Sequence, residues 1–250
     1  MIPLSVVIIT FNEEKNIARC LDSIQGIADD IVVVDSFSTD RTEEICKKYN
    51  VNFVQCKWEG YSATKNFANQ LAKHDWVLSL DADEALSDEL KQSILKIKNE
   101  DTLVTAEFKR LTNYCGHWIK HCGWYPDVKI RLFDKRITKW EGIIHEELKF
   151  SEEVSAVHLS GDCLHYSYYT LEQHYKQADK FTSIAAKDLF EQGKKASFLK
   201  LAVSPVVKFI RDYIFNLGFL DGSAGITVCR ISAYATYLKY KKLRDLYSEK

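Results

Sequence analysis

Short apolar runs alternate with amphipathic stretches through the first hundred residues. "LSVVIIT" (4–10), "DIVVVDS" (30–36), "VNFVQC" (51–56) and "WVLSL" (76–80) are β-branched or wholly apolar. Runs of this kind suit strands buried on both faces of a parallel sheet. Between them the spacing predicts helices. Asp40 with Glu43 three residues later reads as a capping pair for a helix over roughly 41–49. "SDELKQSILKIKN" places Asp88 and Glu89 at the positive end of another helix dipole. Strand alternating with helix predicts βαβ units in an open α/β sheet, whose ligands bind outside the carboxyl ends of the strands.

The pattern changes after residue 102. "LVTAEFKRL" and "VKIRLFD" read as strands flanking a long aromatic, His- and Cys-rich loop, "TNYCGHWIKHCGWYPD" (112–127). From Thr170 the chain turns helical, opening with a Thr-x-x-Gln capping box and stopping at Gly193. "GFLDGSAG" (218–225) marks a break between two further helical stretches. The expected organisation is therefore an α/β domain over 1–168 and a helical extension over 169–250.

Composition adds three constraints. With 250 residues and 46% hydrophobic content, the chain can bury one large core, or one core with a small appendage. Seven cysteines, odd in number and never spaced C-x-x-C, fit reduced thiols, and the chain enters its first strand with no signal-peptide pattern, so a cytoplasmic location is expected. Charge is uneven: residues 194–250 hold 11 Lys/Arg against 4 Asp/Glu, whereas residues 1–193 hold 23 against 31. The aromatic-rich region is not the basic one, which argues against a nucleic-acid partner.

The candidate chemistry gathers where strands end. "WVLSLDADE" (76–84) runs out in Asp81 and Asp83. Two adjacent carboxylates at a ligand-binding edge call for a cation or a hydrogen-bond donor, and hard oxygen ligands suit Mg²⁺ or Mn²⁺ completed by phosphate oxygens. The plainer alternative is a solvated loop that starts the next helix. "TFNEEKNI" (10–17), "VVDSFSTDRT" (33–42) and "WEGYSATKNFA" (58–68) bring polar groups to the same edge. In the long loop, Cys115, His117, His121 and Cys122 are zinc-competent, but their spacing matches no common finger.

"TFNEEKNI…CLDSI", "DDIVVVDSFSTDRTEEI", "WEGYSATKNFA", "WVLSLDADE", "GWYPDVKIRLF", "EGIIHEEL" and "GFLDG", in that order, resemble the family 2 glycosyltransferases of the GT-A fold. Within them the chain is similar to the subgroup related to lipopolysaccharide core β-1,4-glucosyltransferases. The resemblance implies a Rossmann-like, mostly parallel catalytic sheet and a UDP-sugar donor. Thr10, Asn12 and Glu13 would line base and ribose, Asp35 would contact the uridine, and Lys65 would reach the nucleotide. Asp81 and Asp83 would form the D-x-D pair, with His145 a further ligand for a divalent cation, Mn²⁺ or Mg²⁺. One departure is Phe37, where relatives commonly carry Gly, and Phe tolerates positive φ poorly.

The implied mechanism inverts the sugar. A carboxylate takes the proton of the attacking acceptor hydroxyl, and Asp127 and Glu146 are the candidates, ahead of Glu141 and Glu147. Trp118, Trp124 and Tyr125 would offer flat faces to an acceptor sugar, with His117 and His121 as hydrogen-bond partners. The alternative is an aromatic minicore.

Residues 196–220 are apolar but interrupted by Lys200, Lys208, Arg211 and Asp212, which suits amphipathic helices on the inner leaflet of a membrane rather than a spanning helix. Packing on the catalytic domain or a homodimer interface is the alternative. The expected activity is glycosyl transfer to a glycan or lipid-linked acceptor. A sugar nucleotidyltransferase, which would need a Gly-rich phosphate loop, and a non-catalytic scaffold are the rivals.

Overall fold

The computed structural model describes residues 1–100, 103–142 and 146–248. In chain order the elements are β1 (Leu4–Thr10), α1 (Ile17–Ser23), β2 (Asp30–Asp35), α2 (Thr42–Cys46), β3 (Asn52–Gln55), α3 (Tyr61–Leu71), β4 (Trp76–Asp81), β5 (Glu84–Leu86), α4 (Asp88–Asn99) and β6 (Thr105–Tyr114). There follow β7 (His117–Ile119), β8 (Asp127–Asp134), β9 (Thr138–Glu141), β10 (Glu147–Phe150), β11 (Ala156–Tyr168), α5 (Leu171–Glu191), α6 (Phe198–Ile210) and α7 (Gly222–Ser248). A π-helical turn, Arg211–Phe215, and a 3-10 turn, Gly218–Asp221, join the last two helices.

Two compact units divide the chain. One contains residues 1–110 and 127–165; the other contains 111–126 and 166–250. The aromatic insertion thus belongs with the C-terminal helices, whereas the sequence places it inside a domain ending at 168.

In the first unit, β3, β2, β1 and β4 pair in parallel in that order, and β8 joins β4 antiparallel. The sheet continues in the order β6, β11, β5. All of β1 is buried. Because strand side chains alternate between faces, Val6 and Ile8 join one core with Ile17, Leu21 and Leu78, while Val7 and Ile9 join another with Val34, Ala68 and Phe133. Two covered faces explain why the run is apolar throughout rather than alternating.

The predicted strands appear within a residue or two of their expected ends, except β6, which runs past Leu111 to Tyr114. α2 is shorter than the span 41–49, and its reciprocal cap is absent. Asp40 Oδ1 instead accepts from the Thr42 N–H at 2.9 Å, Oδ2 accepts from the Glu14 N–H at 3.0 Å, and Glu43 pairs forward with Lys47. The helix after β5 is capped by Ser87, which accepts from the Leu90 N–H. β5, β9, β10 and the 13-residue β11 are additions to the predicted set. Gly161 and Asp162 interrupt any β signature in β11, and only its pairing with β5 and β6 makes it a strand.

In the second unit the insertion is a hairpin rather than an open loop: β7 folds back on the end of β6, pairing Thr112 with Ile119 and Tyr114 with His117. The capping box at Thr170 and Gln173 forms as expected. Helix α7 begins after the glycine-rich break, where Gly225 abuts the carbonyl of Gly218 so closely that a Cβ would collide with it. Tyr114, Ile119 and Cys122 pack with Val228 and Cys229 in one small core.

Candidate active site

The turn after β1 and the turn after β2 are laced together by short polar side chains. The Asn12 N–H donates to Ser38 Oγ at 2.8 Å, and Asn12 Oδ1 accepts from the Thr39 N–H at 2.8 Å. Ser38 Oγ donates to Asp35 Oδ1 at 2.5 Å, while Asp35 Oδ2 accepts from the Ser38 N–H and from Gln55 Nε2. Asp35 is fully buried, so its carboxylate already serves the turn. This geometry requires φ of 59° at Phe37, so the left-handed turn forms despite the missing glycine, with the ring left exposed. At the same strand ends, the buried hydroxyls of Thr10 and Ser36 have no hydrogen-bond partner.

Asp81 ends β4 inside a chain of alternating charges. Lys65, fully buried on α3, places Nζ 2.9 Å from Glu146 Oε1 and 3.1 Å from Asp81 Oδ1, with the Trp140 ring 4.9 Å away. Arg131 Nη2 reaches both Asp81 Oδ2 and Glu84 Oε1 at 2.9 Å. Arg110 then bridges Glu84 to Asp127, donating to Asp127 Oδ2 from Nε at 2.9 Å and Nη2 at 2.7 Å. Lys129 closes the series at Asp127 Oδ1, 3.0 Å away. Glu84 Oε2 also accepts from the Asp81 N–H at 3.0 Å. An ion pair this deep has to satisfy every charge, because a single unmatched group would cost several kcal/mol.

These contacts set the protonation states. Burial by itself would raise the Asp81 carboxyl, but the charges of Lys65 and Arg131 outweigh it and hold the group far below the ordinary range. Burial likewise opposes ionisation of Asp127, and Arg110 with Lys129 overturns that, leaving it below the ordinary range. Both are carboxylates at neutral pH. Glu13 behaves in the opposite way: burial first, and then the negative charge of Asp83, push it up to about 7.

Around this network lies an open cleft of about 560 Å³, lined among others by Asp81, Arg110, Lys129, Arg131, Trp140 and Glu146. Asp83 sits beside it in sequence and pairs with His165 Nε2 at 3.2 Å. His145 lies outside the described residues. Among the described residues no cluster of three His, Cys, Asp or Glu side chains could hold a metal ion by itself. Two features nevertheless suit a divalent cation. Asp81 Oδ1 is buried with only the Lys65 ammonium beside it, 3.1 Å away, and Glu13 is raised by burial and by the negative charge of Asp83.

The residues expected to face an acceptor belong to the second unit. His121 Nδ1 lies 2.8 Å from Asp221 Oδ1, and the Asp221 carboxylate also accepts from the N–H groups of Lys120 and His121. Trp124 is half-buried among Tyr114, Tyr168 and His174, so its ring is largely committed to packing. Trp118 packs edge-on against Tyr166, His117 is exposed, and Tyr125 is half-buried.

Sequence reading passed over Glu84, Arg110, Arg131, Trp140 and His165. Arg131 lay inside the quoted "VKIRLF" and Glu84 directly after the D-x-D pair, but their roles depend on partners distant in sequence, such as Glu84 for Arg110, 26 residues away, and Asp81 for Arg131, 50 residues away.

Comparison with known proteins identifies this arrangement. The model described as "Glycosyl transferase family 2" matches residues 5–179, and the chain belongs to that family. An uncharacterized glycosyltransferase of Rickettsia typhi is 35% identical over 97% of this chain and 87% of its own length. The lipopolysaccharide core biosynthesis glycosyltransferase LpsC of Rhizobium meliloti is 27% identical over 96% of this chain and 93% of its own. Among solved structures, a mannosyltransferase from Pyrobaculum calidifontis in complex with GDP-Man and Mn²⁺ aligns with 100% of this chain and 89% of its own, at a TM-score of 0.53 and 14% identity. The shared fold is the expected GT-A fold, here with a C-terminal helical extension. The chain is a glycosyltransferase, and no helix among the described residues is long and apolar enough to cross a membrane.

Proposed function

We propose that the chain is an inverting hexosyltransferase that moves a sugar, glucose foremost, from a UDP-sugar to a hydroxyl of a glycan or lipid-linked acceptor in lipopolysaccharide core or surface polysaccharide synthesis. The similarity to LpsC supports the acceptor class. Such an acceptor places the enzyme at the cytoplasmic face of a membrane as a peripheral protein. The observation that carries the catalytic part is the charge series from Glu146 to Lys129, which presents two ionised aspartates, Asp81 and Asp127, to one region of the first unit.

In this proposal the Thr10 and Ser36 hydroxyls and the Asn12–Ser38 turn receive the nucleoside, where unpaired buried oxygens await donors. Asp83 and Asp81 would hold a divalent cation whose remaining positions go to donor phosphates; when bound, that ion offsets the charge of the departing diphosphate. Lys65 and Arg131 keep Asp81 ionised and fixed.

Asp127 takes the acceptor proton. Four ion pairs through Arg131, Glu84 and Arg110 separate it from Asp81, whereas Glu146 shares a single ammonium with Asp81 and so stays beside the phosphate end. An inverting displacement needs its base opposite the leaving group. Glu146 is the second reading, since it lines the cleft directly.

A donor panel tests the proposal: release of nucleoside diphosphate from UDP-, GDP- and CMP-sugars, with and without Mn²⁺, for the parent and Asp83→Ala. Metal-dependent turnover of one UDP-sugar, lost in the variant, is the expected result. A preference for a GDP-sugar would overturn the donor assignment, and no binding of any donor would point to a scaffold.

A further inference from the structure

Helix α6 has an environment at odds with its composition. It is mainly apolar, yet none of its 13 residues is buried. Leu199, Val203, Val206 and Ile210 recur every three or four residues and are all exposed, so they form one ridge, which Ile214 continues into the π-helical turn. Phe198 at one end is 73% exposed and Phe215 at the other 76%. Phe219 and Leu220 carry the apolar surface onward through the 3-10 turn. Between α6 and α7 lies a groove of about 400 Å³ lined by Phe198, Ala202, Pro205, Tyr234 and Tyr237. A contiguous apolar surface of this kind marks an interaction site.

The charges around it select the occupant. Residues 194–221 carry five cations, Lys194, Lys195, Lys200, Lys208 and Arg211, and two acids. Asp212 is 1% exposed and paired with Lys208 and Arg211. Asp221 is bound by His121 and two backbone N–H groups. The outward charge is therefore wholly cationic. A second copy laid face to face would oppose cation to cation. Anionic headgroups complement it, with acyl chains beneath them to receive the ridge.

The helix cannot span. Its 13 residues and the 5 of the π-helical turn are interrupted by Lys200, Lys208, Arg211 and Asp212, and no helix among the described residues is long and apolar enough to cross a membrane. We infer that the segment 198–220 lies in the plane of an anionic membrane, with the ridge among the upper acyl carbons and the lysines and Arg211 at the phosphates. This deepens the lipid-linked acceptor proposed above and takes its purpose from it, while its physics depends only on the surface of this unit.

The test floats the 250-residue chain with vesicles of phosphatidylcholine alone or with about 30 mol% phosphatidylglycerol. At least about tenfold more protein is expected on the anionic vesicles. Leu199→Glu with Val206→Glu, at exposed positions, should cut that recovery about tenfold while circular dichroism and lipid-free UDP-sugar turnover stay unchanged. Equal recovery of variant and parent, or none of the parent, overturns the inference. So does a solution dimer that the double substitution dissociates, which would assign the ridge to a second copy. Because donor turnover is read without lipid, failure of the glycosyl-transfer proposal registers separately from failure to bind membrane.

Discussion

The Lys65 ammonium lies 2.9 Å from Glu146 Oε1 and 3.1 Å from Asp81 Oδ1, with no solvent exposure of its own. One buried cation thereby ties Asp81, at the end of the fourth strand, to Glu146, which lies 81 residues beyond Lys65 itself. The sequence suggests a lysine that reaches the nucleotide; the structure has its charge shared between two carboxylates.

Lys65→Met should lower the unfolding free energy by about 3–5 kcal/mol, the usual cost of stranding a buried charge. Chemical denaturation measures it. A loss below about 1 kcal/mol would mean that water or Arg131 compensates and that the ion pair is not structurally required.

Asp127→Asn should reduce turnover about 10²- to 10⁴-fold with donor affinity retained, as expected for loss of a general base. Glu146→Gln should chiefly weaken donor binding, because it loosens Lys65 beside Asp81. Single-turnover kinetics with titrated donor separates the two effects. The reverse pattern would make Glu146 the base.

Phe37→Gly should stabilise the first unit. Phe37 sits at φ 59° with its ring exposed, so it bears the left-handed penalty without much burial in return. Relief of about 1 kcal/mol is expected, offset in part by the greater freedom of glycine in the unfolded chain. Calorimetry should show the transition of that unit a few degrees higher.

His174 gives the second unit an acid-sensitive point. It is buried against the Tyr114 hydroxyl, 3.0 Å away, and burial lowers its pKa to about 4. The unfolded chain, with an ordinary value near 6.5, binds the proton first as pH falls. Its contribution is therefore full above about pH 6.5 and is lost toward pH 4, on the order of 3 kcal/mol in total. His174→Gln should flatten the stability–pH curve in that window, measured by urea unfolding at fixed pH. An unchanged slope would assign the acid sensitivity to other groups.

The amino-acid sequence by itself determined much of what depends on neighbours along the chain, though not the cap of α2, where Asp40 turned to Thr42 and Glu14 instead. The double-faced apolar runs dictated buried strands, Thr170 and Gln173 dictated a helix start, and the D-x-D pair was placed at a strand end because apolar residues stopped there. The clustering of lysines beyond residue 193 was visible as composition. Tertiary structure decided what depends on distant partners. It seated Arg131 between Asp81 and Glu84, matched Arg110 to Asp127, and drew Trp124 into a core with Tyr168 and His174. It also made Phe37 left-handed, since the hydrogen bonds of Asp35, Ser38 and Asn12 closed the turn against the local preference of the residue. Local patterns encode burial and capping over a few residues, whereas a buried charge takes its meaning from whichever opposite charge the topology delivers within about 3 Å.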